Sequence, residues 1–175
     1  SSVNWLDDLK LRASYGTNGT LPKDWYAHKA LYDVNAYAGE PAIDYSQISN
    51  KQLSWEESNN LNIGTDFRVF DRVNGSFEYF VKKTEEMLME VPLSRVTGFE
   101  DMWQNIGEME NKGWEFTLSA DILRDTELKW DMSLNVSHYK NEITKLNNGE
   151  SISDFPYIRK EGEAYNSFHL RDWAG

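Results

Sequence analysis

The sequence has no cysteine, only three histidines and four prolines, and no run of apolar residues near the ~18 that a membrane-spanning helix needs. Without cysteine there is no disulfide framework and no thiolate metal site. His28, His138 and His169 are scattered, with no HExxH pair, so metal binding is not expected. Cations are in deficit, 18 Lys and Arg against 29 Asp and Glu for a net charge of -11. Nucleic acid is therefore not an expected partner, because phosphate neutralisation needs clustered Lys and Arg. No GxSxG, P-loop or GxGxxG pattern is present. The carboxylate pairs Asp7-Asp8, Glu56-Glu57, Glu85-Glu86 and Glu100-Asp101 are adjacent in sequence. On a strand, adjacent side chains point to opposite faces, so such pairs do not converge as acid and base. No catalytic residue, metal or cofactor is assigned, and an enzyme is not expected. The first residues carry no charged-then-apolar leader.

What the chain has instead is alternation. Trp114, Phe116, Leu118, Ala120 and Ile122 alternate with Glu115, Thr117, Ser119 and Asp121. Leu128, Trp130, Met132, Leu134 and Val136 then alternate with Lys129, Asp131, Ser133, Asn135 and Ser137. A period of two means strands with one apolar and one wet face. Each arm is about ten residues, longer than the ~5–6 usual in globular sheets and close to the ~9–11 that cross a bilayer when tilted. The same pattern runs through Leu9, Leu11, Ala13 and Tyr15, through Leu61, Ile63, Thr65, Phe67 and Val69, and through Val73, Gly75, Phe77, Tyr79 and Val81. Only Phe80 breaks the polar side of the last of these.

The expected fold is all-β: an antiparallel up-and-down meander of about six long strands, forming part of a transmembrane β-barrel. The strands are expected at 9–16, 57–70, 73–89, 113–122, 128–142 and 164–173. Links alternate between long (17–54, 90–112, 147–162) and short (70–73, 123–127), the asymmetry of barrels with short turns on one side and long loops on the other. Trp55, Trp114 and Trp173 fall near expected strand–loop boundaries, where amphipathic rings sit at a membrane interface. A soluble all-β carbohydrate-binding module, with the apolar faces as its core, gives the same alternation and stays open at this point.

Four segments add a resemblance: LKLRASYGTNG (9–19), LSWEESNNLNIGTDF (53–67), NIGEMENKGWEF (105–116) and the ending EGEAYNSF…WAG (161–175). Together they resemble the barrel of SusC/RagA-type TonB-dependent transporters, outer-membrane proteins of Bacteroidetes. The resemblance covers nearly the whole chain. It departs at Ala164, where proline is common, and at His169-Leu170, where Tyr-Gly is common. It implies residues 1–175 as an internal slice of a larger, plugged barrel, without the plug, the TonB-contacting segment or the terminal strand. It further implies import of oligosaccharides or oligopeptides, with TonB, a SusD-like lipoprotein, outer-membrane lipid and a glycan or peptide as partners.

Ligand chemistry is expected in the loops. Trp25, Tyr26, Tyr45, Trp103 and Tyr157 are the candidate ligand-binding residues, aromatic faces near Asp, Asn and Lys that suit stacking on sugar rings or a protein lid. NIGEMENKG clusters Asn105, Glu108, Glu110 and Asn111, but without the tight carboxylate spacing of a calcium loop. Gly107 and Gly113 there are read as backbone excursions at a loop end. The long loops are expected to be mobile, as few apolar residues tie them down.

Facing follows from the period. Leu61, Ile63, Phe67, Phe77, Tyr79, Phe116, Leu118, Trp130, Met132 and Leu134 are expected on one side. Asn62, Asp66, Glu78, Thr117, Ser119, Asp131 and Ser133 are expected on the other. An isolated slice of this kind leaves two open edges and one uncovered apolar face, so it is expected to associate or to curl that face closed.

Overall fold

The structure, a computed structural model, describes residues 5–22, 25–124, 127–146 and 149–170. Among the described residues ten strands form, in chain order: β1 Leu6–Thr20, β2 Leu31–Tyr37, β3 Glu40–Gln47, β4 Glu56–Val69, β5 Val73–Pro92, β6 Asp101–Leu123, β7 Trp130–Leu146, β8 Ile152–Asp154, β9 Tyr157–Arg159 and β10 Ser167–Phe168. The long ones make a five-stranded sheet in the order β1-β4-β5-β6-β7. Its cross-strand contacts run antiparallel: Arg12 meets Asp66, Ser14 meets Asn62 and Thr17 meets Asn59, one number rising as the other falls. No helix among the described residues is long and apolar enough to cross a membrane.

Five long strands stand where the alternation pointed, and the sixth does not. The run expected at 164–173 contributes only Ser167–Phe168, in a small sheet ordered β10-β9-β8, while residues 171–175, with Trp173, lie outside the described residues. Residues 162 and 163 instead bond the outer end of β7: Gly162 N–H donates to the Ile143 carbonyl and Ile143 N–H to the Glu163 carbonyl, both at 2.9 Å. The expected long link 90–112 is also shorter than read. β6 starts at Asp101, leaving 93–100 with a single 3-10 turn, Arg95–Thr97. The reason is that Asp101–Lys112 needs no apolar face to be a strand. Its backbone is paired on the ladder, and with polar residues on both sides it leaves no alternation to read. Trp114 consequently lies mid-strand and not at a strand end, whereas Trp55 directly precedes β4.

Contacts divide the chain into two compact units. The first comprises Ser1–Thr17, Asn59–Lys83 and Glu110–Asn141. Here the two faces separate as the period requires. On one, Leu11, Ile63, Phe77, Trp130, Met132 and Leu134 are all exposed, Met132 at 48% and Ile63 at 52%, so this apolar face is not closed into a core. Phe77 stacks on Trp114 at 6.4 Å, and Trp114 lies 6.4 Å from His138. On the other face Arg12 joins Asp66 (3.0 Å) and Glu78 (3.3 Å) across three strands.

Two glycines make close approaches in this unit. An added Cβ at Gly75 would meet the Phe67 ring at 2.2 Å, so that ring lies directly over the glycine. At Gly113 a Cβ would meet the His138 carbonyl at 2.4 Å and the Phe80 ring at 2.9 Å. Phe80, the aromatic on the polar side of β5, is thus the cover over Gly113. The turn from β4 to β5 puts Phe70 and Asp71 both at positive φ (55° and 53°), the geometry of a two-residue hairpin without the usual Asn-Gly. Asp71 is held there by Arg68, by Arg124 (3.2 Å) and, through its N–H, by the Asp7 carboxylate.

The second unit comprises Asn18–Ser58, Thr84–Met109 and Glu142–Gly175. It holds the buried cluster Met87, Met89, Ile143, Leu146 and Ile152, with Ile106, Met109 and Tyr165 packed against it. β5 reaches this cluster through a bulge. Thr84 is buried and bonded to Ser58, Glu86 has a φ of 53°, and beyond it Met87 and Met89 are the buried residues. One extra residue has moved burial from even to odd positions.

Replacing Gly113 with alanine is expected to cost about 1–3 kcal/mol, the range for forcing a methyl into a packed site. Gly16→Ala, where nothing lies within 4 Å of the added carbon, is expected to be nearly neutral. Urea unfolding from lipid vesicles measures the difference, and equal midpoints would refute the close approach.

Candidate functional site

The long excursion 21–55 builds its own hairpin, β2 with β3, closed by Ala38 and Gly39 at positive φ (53° and 88°). Tyr32 pairs directly with Tyr45 across it, rings 4.6 Å apart, and Phe99 meets the edge of Tyr45 at 6.1 Å. The hydrogen bond that the neutral Tyr32 phenol donates to Tyr45 pushes it above the ordinary tyrosine range.

Amide side chains hold this excursion to its neighbours by hydrogen bonds to backbone. Gln47 Nε2 donates to the carbonyls of Tyr26, Ala27 and Lys29 at 3.1, 3.0 and 2.8 Å. Asn50 Nδ2 donates to the Trp103 carbonyl at 2.9 Å. Asn105 does most: its Oδ1 accepts from Ser54 N–H at 2.8 Å, and its Nδ2 donates to the carbonyls of Ser54 (3.1 Å) and of Glu86 (2.8 Å) at the bulge. The NIGEMENKG asparagine is therefore a clamp on backbone. Nearby, Glu108 pairs with Lys145 at 2.8 Å. Among the described residues no three His, Cys, Asp or Glu side chains gather as a metal site.

The five aromatics chosen from sequence do not form one site. Trp25, 92% exposed, faces Trp55 across a cavity of about 510 Å³. Trp103 lines two further cavities together with Leu88 and Tyr165. Tyr26 lies under the Lys29 ammonium at 5.1 Å, and Tyr45 is spent on the hairpin pair. Tyr157 stands opposite Phe168 between β9 and β10, rings 5.1 Å apart. The sequence reading placed Trp55 at a membrane interface and passed over Tyr165 as a site residue. Tyr165 carries the Arg159 guanidinium at 5.0 Å over its ring. Its neighbours Ala164 and Asn166 give no sign of that role.

The chain matches the family described as TonB dependent receptor-like, beta-barrel over residues 2–165. It is 38% identical to the TonB-dependent receptor SusC of Bacteroides thetaiotaomicron over 194 residues, covering 96% of this chain and 19% of that protein. It is 33% identical to the TonB-dependent receptor P39 of Formosa agariphila, covering 96% and 16%. Among solved structures it resembles the RagAB peptide importer in the closed-closed state, with a TM-score of 0.84, 33% identity, and 95% and 19% coverage. The chain spans about a fifth or less of these relatives' length, 16–19%.

Removing the Asn105 side chain (Asn105→Ala) leaves three backbone groups without their partner and is expected to cost about 1–3 kcal/mol. Amide hydrogen exchange at Ser54 and Trp55 should speed up while exchange in β4 beyond Leu61 stays unchanged; no change at Ser54 would refute the clamp. In the hairpin, the raised Tyr32 phenol means the neutral form is favoured when folded. Its stabilising contribution is present below the ordinary tyrosine pKa of about 10 and lost as pH rises through the raised value. Phenolate absorbance should show Tyr32 ionising at lower pH in Tyr45→Phe than in the wild type.

Proposed function

Since the chain belongs to the TonB dependent receptor-like β-barrel family, we propose that it forms wall and outer loops of an outer-membrane importer of the SusC/RagA type. The importer takes up oligosaccharides or oligopeptides, is energised through TonB, and works with a SusD-like lipoprotein as its extracellular partner. This chain is an internal part of that larger barrel. Its role is passive in the chemical sense: it binds and encloses, and it transforms nothing.

One observation carries the reading. The same strands that expose Leu11, Ile63 and Phe77 on one side carry the Arg12–Asp66–Glu78 ion pairs on the other. A soluble sandwich would bury the apolar set as its core. A wall between lipid and a water-filled lumen leaves that set outward and puts ions inside. Lipid supplies what the chain itself does not, a cover for the apolar face. The likeness to SusC and to the RagAB peptide importer supports the class of cargo, and TonB is in the names of the relatives.

The test is TonB-dependent uptake by cells carrying the full-length protein, alongside folding into vesicles. Arginine in place of Leu118 or Met132, near the bilayer midplane, is expected to cost about 2–4 kcal/mol of folding stability. Ser119→Asn and Ser133→Asn, on the lumen side, should change it by less than about 0.5 kcal/mol. Equal tolerance of arginine on both faces would overturn the wall.

A further inference from the structure

Three cavities of the second unit adjoin in series. The first, about 510 Å³, lies between Trp25 and Trp55. The next, about 270 Å³, shares Leu21, Pro22 and Ala27 with it. The last, about 240 Å³, shares Leu88, Trp103 and Tyr165 with the middle one. Aromatic side chains therefore line the run from end to end.

The chemistry changes along it. Among the described residues, the lining of the first cavity is mostly apolar and aromatic, with His28 and Ser54 as its polar side chains. At the far end Glu90, Glu100, Asp101 and Arg159 stand beside Trp103 and Tyr165. Arg159 packs on Tyr165, and its Nε is enclosed without a hydrogen-bond partner among the described residues, an unmet donor at that end.

We propose that this run is the binding track for a linear, uncharged oligosaccharide. The inference rests on the importer reading and names its substrate class. A pyranose has apolar C–H faces and a rim of hydroxyls that both donate and accept. The faces suit the exposed rings of Trp25 and Trp55, then Trp103 and Tyr165. The rim suits carboxylates that only accept and a guanidinium that only donates. Charge decides against an anionic glycan: three carboxylates to one arginine repel uronate or sulfate at the far end. Extended peptides are held chiefly by backbone hydrogen bonds to a strand edge. The polar groups at this end are side-chain carboxylates, the Ser153 hydroxyl and a guanidinium.

The full-length protein, in detergent, is titrated by calorimetry with neutral gluco-, manno- and xylo-oligosaccharides, with an oligogalacturonate of equal length, and with an uncharged peptide. At least one neutral sugar is expected to bind, and the galacturonate and the peptide more weakly. Trp25→Ala and Trp103→Ala should each weaken the neutral sugar by about tenfold, the scale of one lost aromatic stack. Trp103→Tyr should retain most of the affinity, which separates loss of stacking from loss of fold. The double change Glu100→Gln, Asp101→Asn should bring galacturonate within about tenfold of the neutral sugar. No binding by any neutral sugar, unchanged affinity in both tryptophan variants, or loss of peptide binding through the same residues would overturn the proposal. With TonB-dependent uptake and vesicle folding intact, such a result removes this inference alone; failure of those assays removes the importer reading as well.

Discussion

Hydrocarbon offers a backbone no water to bond. Each N–H and C=O that enters it must find a partner within the protein, and a ladder of neighbouring strands is one of only two ways to do so. The order β1-β4-β5-β6-β7, each long strand beside the next long strand in the chain, meets that demand, with a short reversal at 70–72. Once the ladder is fixed, side chains have only two directions to point. Exposed Met132 and ion-paired Arg12 are then consequences of one backbone arrangement. Even the exceptions obey it: Phe80 sits on the polar side because Gly113 leaves a gap there for its ring.

Beyond the apolar stretch the constraint relaxes and other devices take over. β5 and β6 continue as strands with polar and apolar residues mixed on their faces, and the bulge at Glu86 re-aims β5 so that Met87 and Met89 meet Ile143. The excursion before β4 leaves many of its apolar side chains exposed, among them Trp25, Val34, Tyr37 and Ile43. It is held by amides, which carry donor and acceptor on one side chain and so satisfy two or three backbone groups at once. Gln47, Asn50 and Asn105 each do this, and Asn105 also satisfies the Glu86 carbonyl at the bulge.

The strands that a lipid-facing wall requires were legible because alternation is a strong and local signal. Leu61 to Val69 and Trp130 to Val136 carry it residue by residue. Asp101–Lys112 carried none, since no face of it is apolar, and the strand was read as loop. The last run, 164–173, had weak alternation and was read as a long strand, but only Ser167 and Phe168 pair as one, while Gly162 and Glu163 bond β7. Of the loop aromatics, Trp25 and Trp103 line cavities, while Tyr26, Tyr45 and Tyr157, which carry the same composition signal, stand in local pairs. Composition counts rings and does not say which of them face each other.

By itself, then, the sequence determined which segments pair as lipid-width strands, which of their faces is apolar, and the family to which the chain belongs. These depend on residues one or two apart, or on short motifs read in order. Tertiary structure decided the rest: that a bulge at Glu86 brings Met87 and Met89 into a core, that Asn105 clamps Ser54, and that Trp55 and Tyr165 join Trp25 and Trp103 along adjoining cavities. Those contacts join residues tens of positions apart, and no local periodicity records which distant side chain a closing ladder will bring alongside.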